Sequence, residues 1–282
     1  MDKSLLEQIE LEILDSGVWG TIAPHSISAA KALAERLGGK HGLLCHSADA
    51  AYEALLRHLG ARFAELPHGD AVIVGAVSAP SDSLVALCVG AEPIFCPVCE
   101  TCGMISPKAL TSLLDGVDKP IRAIVIDYLP AQGDRYPLDV IAELCHKHRI
   151  PLVLNLGGDI GAMHQGKPLP SLADAVICSL GKGSAVDAGG GGLVVTDNES
   201  LWAGTFAYHN CGRSFGAGCS LVMDNIVGGD MRVTEWIAAA AEEILSQDAL
   251  VTPAPRMLVQ MEGQPVFDST YARKACTYGK RN

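Results

Sequence analysis

The chain has 282 residues, 49% of them hydrophobic and 19% charged, enough for a packed core and too apolar for a disordered chain. Its 21 Lys and Arg against 32 Asp and Glu leave a formal net charge of -11, which argues against a nucleic-acid binder, because phosphate affinity rests on a cationic face. No uninterrupted apolar run reaches the roughly 18–20 residues that span a bilayer, and the N-terminus MDKSLLEQIELEILDSG carries acids inside its apolar pattern, unlike a signal peptide. The expectation is a cytoplasmic protein with no membrane partner.

Leu5, Leu6, Ile9, Ile13 and Leu14 recur at helical spacing up to Gly17, and a second helix is predicted from about Ser26 to Leu37, before Gly38-Gly39. An alternation then begins. Apolar runs at 42–45, 71–75, 92–96, 122–127, 150–155, 175–180 and 192–197 predict buried strands. Helices are predicted between them near 48–59, 81–89, 107–114 and 138–148, with a last one over 231–245. Near-continuous Val/Ile/Leu strands alternating with amphipathic helices mean a mostly parallel sheet covered on both faces. Residues 1–247 are therefore expected to form one α/β domain, and 248–282, rich in Pro and polar residues, a short C-terminal tail.

Ten cysteines without an export signal do not predict a disulfide framework. Cys45, Cys88, Cys145 and Cys178 lie in apolar stretches and read as small core hydrophobes. Cys96, Cys99 and Cys102 form CPVCETC, a spacing that suits zinc or an iron–sulfur cluster if Cys211 or Cys219 completes the set. The alternative is one buried strand-end thiol and two solvated loop thiols. Asp127 and Tyr128 close the fourth strand on the side where open α/β sheets bind ligands, and read most simply as a strand-end turn. His46 sits before a helix start, where an anion is favoured but a capping role is commoner. No strand–turn–helix elbow of the G-x-S-x-G type supports a hydrolase, and no G-x-G-x-x-G fingerprint occurs.

The fragments GLLCHSADAAYEAL, HGDAVIVGAVSAPSDSLVALCVGAEPIF, IPLVLNLGGDIGAMHQGKP, ADAVICSLGKGSAVDAGGGGLVVTD, HNCGRS and GGDMRVTEWIAAAAEEI follow one another in an order that resembles the DegT/DnrJ-type sugar aminotransferase family. The resemblance implies a three-layer α/β fold of the fold-type-I pyridoxal phosphate (PLP) transferases, with the further C-terminal domain of such enzymes largely missing. It also implies dimers that share active sites and act on nucleotide-linked sugars in amino-sugar or secondary metabolism.

The resemblance further assigns positions, and here the chain departs from the pattern. Aligned on Ser179 and Gly191-Gly192, the family's Schiff-base lysine falls at Ser184, whose hydroxyl cannot form an imine. The aspartate under the pyridine nitrogen becomes Asn155, which offers no compensating charge. The stacking aromatic becomes Ala79, the phosphate-cupping Ser-Gly-Thr turn becomes His46-Ser47-Ala48, and the glutamine after the aspartate becomes Gly158. The asparagine of the G-x-N-x-R motif becomes Asp230, while Ser179, Gly189–Gly192 and Arg232 are kept. Lys182 is an alternative Schiff base if the chain shifts by two residues, and Asp187 could pair with it or serve as a turn acid.

Three readings follow. The first is a degenerate family member with no covalent cofactor, a homodimer or the partner of an active paralogue. The second is a working PLP or pyridoxamine phosphate (PMP) enzyme on a nucleotide-linked keto sugar. The third is an iron–sulfur or zinc protein on the same scaffold.

Overall fold

The computed structural model describes residues 3–19, 22–60, 69–215, 221–224, 226–264 and 266. In chain order the elements are α1 (Lys3–Ser16), α2 (Pro24–Leu37), β1 (His41–Cys45), α3 (Ala48–His58), β2 (Ala71–Gly75), β3 (Val77–Ser78), α4 (Pro80–Cys88) and β4 (Glu92–Cys96). There follow α5 (Pro107–Gly116), β5 (Ile121–Asp127), the short α6 (Pro130–Gly133), α7 (Leu138–His148), β6 (Leu152–Asn155), β7 (Met163–His164), β8 (Lys167–Pro168) and β9 (Ala175–Ser179). The last are β10 (Gly192–Thr196), α8 (Glu199–His209), β11 (Arg213–Phe215), β12 (Leu221–Met223), α9 (Glu235–Ser246) and β13 (Val259–Gln260).

Seven strands form one sheet in the order β1-β10-β9-β6-β5-β2-β4. β4, β2, β5, β6 and β9 run parallel, whereas β10 is antiparallel to both β9 and β1. Parallel neighbours need a crossover and antiparallel ones do not, which is why little chain separates β9 from β10. Because helices cover both faces, strands such as Ala71–Gly75 are buried at every position. The alternating side chains of β5 illustrate the two cores: Ile124 and Ile126 join Leu154, Cys178 and Leu193 on one face, and Ala123 and Val125 join Val72, Val153 and Leu55 on the other. Each such Leu, Ile or Val contributes roughly 1.5–3 kcal/mol by leaving water.

Local chemistry sets the helix ends. Ser47 and Ser106 accept from the N–H groups of Ala50 and Ala109 at the starts of α3 and α5, and Gly38 closes α2 at φ 73°. The start of α2 is fixed from another element. The buried Glu235 carboxylate of α9 accepts from the N–H groups of His25 and Ser26, both at 2.9 Å, where a negative charge meets the helix dipole.

The structure corrects the sequence reading at three places. The last helix begins at Glu235 rather than 231, because His46 N–H bonds to Met231 O and Cys45 bridges Arg232, holding that stretch extended. α8 was not anticipated: its buried residues Leu201, Thr205, Phe206, Ala207 and His209 spread around the helix, which gives no one-sided apolar pattern. Cys88 is exposed, since α4 turns Val85 and Ala86 inward and carries Cys88 on the outer face, unlike the buried Cys45, Cys145 and Cys178.

After α9 the chain returns over the sheet. Val251 N–H bonds to Ala185 O and Ala254 N–H to Gly183 O, then β13 pairs with β3, and Met261 N–H reaches Ala76 O. This strap, residues 249–264, crosses the carboxyl ends of the parallel strands.

Candidate functional site

Asp127 ends β5 and Asn155 ends β6, and the two are register partners at the carboxyl edge of the sheet. Beside them β2 gives way to β3 and α4, whose first turn carries Asp82. Asp82 and Asp127 are 1% and 5% exposed. Asn155 Nδ2 donates to Asp82 Oδ1 at 2.6 Å, and Asn155 Oδ1 accepts from Gly157 N–H at 2.9 Å. Asp127 Oδ2 accepts from Ala79 N–H at 2.7 Å. The other oxygen of Asp127 is ion-paired with the guanidinium of Arg256, which descends from the strap and is 11% exposed. A second nitrogen of Arg256 donates to the Asn155 carbonyl at 2.6 Å and lies 3.5 Å from the Tyr128 carbonyl.

Two carboxyl groups in one desolvated pocket do not both ionise. Burial, then the neighbouring Asp127, pushes the Asp82 carboxyl well above the usual carboxylate range, with Asn155 and Arg256 opposing. A proton on Asp82 also resolves an anomaly, because its Oδ2 is buried with no donor, and protonated it can donate to Asp127.

Glycine makes the approach possible. Gly157 is at φ 57°, and a Cβ there would sit 2.8 Å from Arg256 Nε, so any side chain would push the guanidinium out. At Gly158 a Cβ would lie 2.5 Å from Ser184 Cα and 2.9 Å from its Oγ. The loop carrying Ser184 is thus closed directly onto the turn after β6.

The residues 2–248 match the model of the DegT/DnrJ/EryC1/StrS aminotransferase family. The chain belongs to this family. It is 29% identical over 194 residues to an L-glutamine:2-deoxy-scyllo-inosose aminotransferase of Streptomyces fradiae, a match covering 67% of this chain and 44% of that protein. Its fold matches that of Helicobacter pylori PseC, an aminotransferase of pseudoaminic acid biosynthesis, with a TM-score of 0.73 and 22% identity over 88% of this chain and 64% of the other. It also matches NtdA of Bacillus subtilis, solved with bound PMP, with a TM-score of 0.70 and 19% identity over 85% and 52%. The chain therefore spans about half to two thirds of the length of these relatives.

The positions that the resemblance assigned can now be placed in the fold. Ser184, which the resemblance sets at the lysine position, is 3% exposed and packed against Gly158, with its N–H bonded to Gly181 O. Lys182, the alternative Schiff base, is exposed. Asp187 does not hold it: both its oxygens cap the turn, accepting from Gly183 and Gly189 N–H at 3.2 Å. Asn155 bonds its amide to Asp82, and Ala79, where the resemblance expects a ring, presents a backbone N–H to Asp127.

Ser47, Ala48 and Ser179 do come together, since Ser47 bridges Gly191 and Ser179 pairs with Gly192. Ser47, however, caps α3 and the Ser179 hydroxyl accepts from Gly181 N–H, while His46 is exposed. Asp230 is not a bare charge. It forms a two-bond ion pair with Arg232 at 2.7 and 2.8 Å, which holds its carboxyl below the usual range.

The cysteine set is not assembled. Among the described residues no three His, Cys, Asp or Glu side chains come close enough to hold a metal ion. Cys96 points into the core from the end of β4, its thiol pushed up to about 12 by burial, and Cys211 belongs to the turn after α8. Cys99 and Cys102 are half-buried loop thiols, and Cys219 lies outside the described residues. A cavity of about 330 Å³ lined by Leu44, Trp202, Phe206 and Arg232 lies at the β1 edge, away from this cluster. Among the described residues no helix is long and apolar enough to cross a membrane.

Asp127 was placed on the ligand-binding side of the sheet but read most simply as a strand-end turn, and Asp82 and Arg256 were not anticipated at all. Asp82 stands in a helix first turn, where an acid is ordinarily a solvated dipole partner. Arg256 lies in PAPRM, which carries no period, so no local signal marks either as buried.

Proposed function

We propose that this family member does not anchor PLP as an internal aldimine and acts as a non-catalytic subunit, or through a repurposed pocket, in amino-sugar or secondary metabolism. One observation carries the reading: Arg256 lies against Asn155 and Asp127, beside the position where the family partners the ring nitrogen. The buried hydroxyl at Ser184, the exposed Lys182 and the ring-free Ala79 support it. These residues do not fit a covalently held PLP, so no step is routed through that group. The family resemblance supplies the route for a subunit role, through dimers that share active sites.

The test incubates the purified chain with PLP, reduces with borohydride and maps pyridoxyl adducts by mass spectrometry. No lysine should be labelled beyond the level of an unrelated surface-lysine control. A stoichiometric adduct on Lys182 would overturn the proposal. Light scattering after mixing with a family member that keeps its lysine tests the subunit role. A mixed dimer is expected, and two unmixed species would exclude that role.

A second reading has one observation on its side. Asp82 brings a carboxyl to within 2.6 Å of Asn155 Nδ2, which suits non-covalent PMP and an aminotransferase acting on a nucleotide-linked keto sugar. Retention of PMP through gel filtration would favour it.

A further inference from the structure

We propose that the crevice at the carboxyl ends of β5 and β6 is a recognition site for a guanidinium cation, which Arg256 fills in cis and for which a small guanidinium-bearing ligand competes. The inference rests on the reading that PLP is not anchored in this cleft. Its first support is the shape of the acceptor set. At the ends of two adjacent in-register strands, the Asp127 carboxylate accepts from one terminal nitrogen of a planar fork, and the Asn155 carbonyl, with the Tyr128 carbonyl 3.5 Å away, from the other. A fork of fixed donors meets such a set better than a compact ammonium does.

The second support is charge. Two carboxyl groups, Asp82 and Asp127, lie buried in one crevice against a single guanidinium, a seat that favours a cation, and Asp82 Oδ2 is buried there without a partner. Gly157 supplies the space, since a Cβ there would press on Arg256 Nε at 2.8 Å.

The third support is that the occupant is detachable. The strap buries Arg256 and Met261 but leaves Val251 and Met257 53% and 77% exposed. Pro253 and Pro255 precede the arginine and have no N–H to donate. Few backbone bonds tie the segment to the domain: those from Ala249, Val251 and Ala254, those from Met261 and Glu262 to Ala76, and the two-residue pairing of β13 with β3. A segment with few buried contacts opens at low free-energy cost. A ligand competing with it binds with an affinity reduced by the fraction of chains whose strap is open.

The experiment is chemical rescue in the full chain. Arg256→Ala should lower the Tm and expose 249–264 to proteolysis. Methylguanidine should reverse both saturably, with an apparent affinity at least tenfold better than methylammonium and at least tenfold better than for the wild type. Gly157→Ala in the R256A background, which narrows the seat without altering charge, should weaken methylguanidine by a similar factor. Should R256A fail to fold, Arg256→Lys keeps the charge without the fork, and amide exchange in 249–264 should rise at least tenfold. Equal responses to methylguanidine and methylammonium, or unchanged exchange in R256K, would overturn the inference. PMP retention by the wild-type chain, with methylguanidine selectivity in R256A intact, would instead count against the proposed function alone.

Discussion

Replacing Asp127 by Asn tests how Arg256 is held. The substitution removes the charge while keeping an oxygen that can accept from Ala79 N–H. Arg256 and Asp127 have side chains only 11% and 3% exposed. If the arginine were locked in a rigid core, an uncompensated buried charge would cost about 3–5 kcal/mol. Here the strap can peel away and return the guanidinium to water, so the global loss is capped near the smaller cost of detaching it, on the order of 1–2 kcal/mol. The released stress should appear locally, as faster amide exchange at Val251, Ala254 and Met261, whose N–H groups hold the strap. A pH signature should accompany it. The Asp82 carboxyl is raised in the folded state, so its contribution is present below the ordinary carboxylate range and lost as pH rises through the raised value. D127N removes the neighbouring charge, the second cause of that shift, and should flatten this loss. Urea titrations from pH 4 to 9, with exchange mass spectrometry, read both effects. A global loss of about 3–5 kcal/mol with strap exchange unchanged would refute the reasoning.

His209 is buried and its imidazole is held down at about 4, chiefly by desolvation. Stability should therefore be fully present above the ordinary value near 6.5 and fall as pH drops towards 4, by roughly 3 kcal/mol in total. Urea midpoints should show that slope, and His209→Gln should reduce it. The Cys99 thiol is lowered to about 7, mainly by the Thr101 hydroxyl 3.0 Å away, whereas burial pushes Cys102 up. Iodoacetamide at pH 7.5 should label Cys99 first, and Cys45 and Cys178 only after unfolding, as peptide mapping would report; equal labelling of all would contradict this. Gly158→Gln, the residue the resemblance expects there, drives a side chain into Ser184, and should cost about 1–3 kcal/mol in chemical denaturation. A neutral result would mean that the 181–185 loop moves freely.

The seven-stranded sheet was legible because each of its strands is short and apolar and most are bounded by helical periods, signals that local sequence carries by itself. Residues 71–75 and 192–196 read as strands from composition alone and are buried throughout. α8 escaped because burial on many sides erases the one-sided pattern. At the site, the alignment on Ser179 and Gly191-Gly192 marked residue 184 as a hydroxyl, and the sequence established what chemistry that atom excludes. It had no means of showing that the hydroxyl faces Gly158, that Lys182 stays in water, or that Asp82 reaches Asn155.

Those facts depend on where separate elements meet. Asp82, Asp127, Asn155 and Arg256 come from a helix start, two strand ends and a strap distant in the chain. Each is ordinary in its own segment, and only desolvation by the others makes one carboxyl keep its proton and one arginine leave solvent. Periodicity records which face of an element is apolar. The pairing of charges across elements leaves no periodic trace, because it is decided by the packing that brings them together.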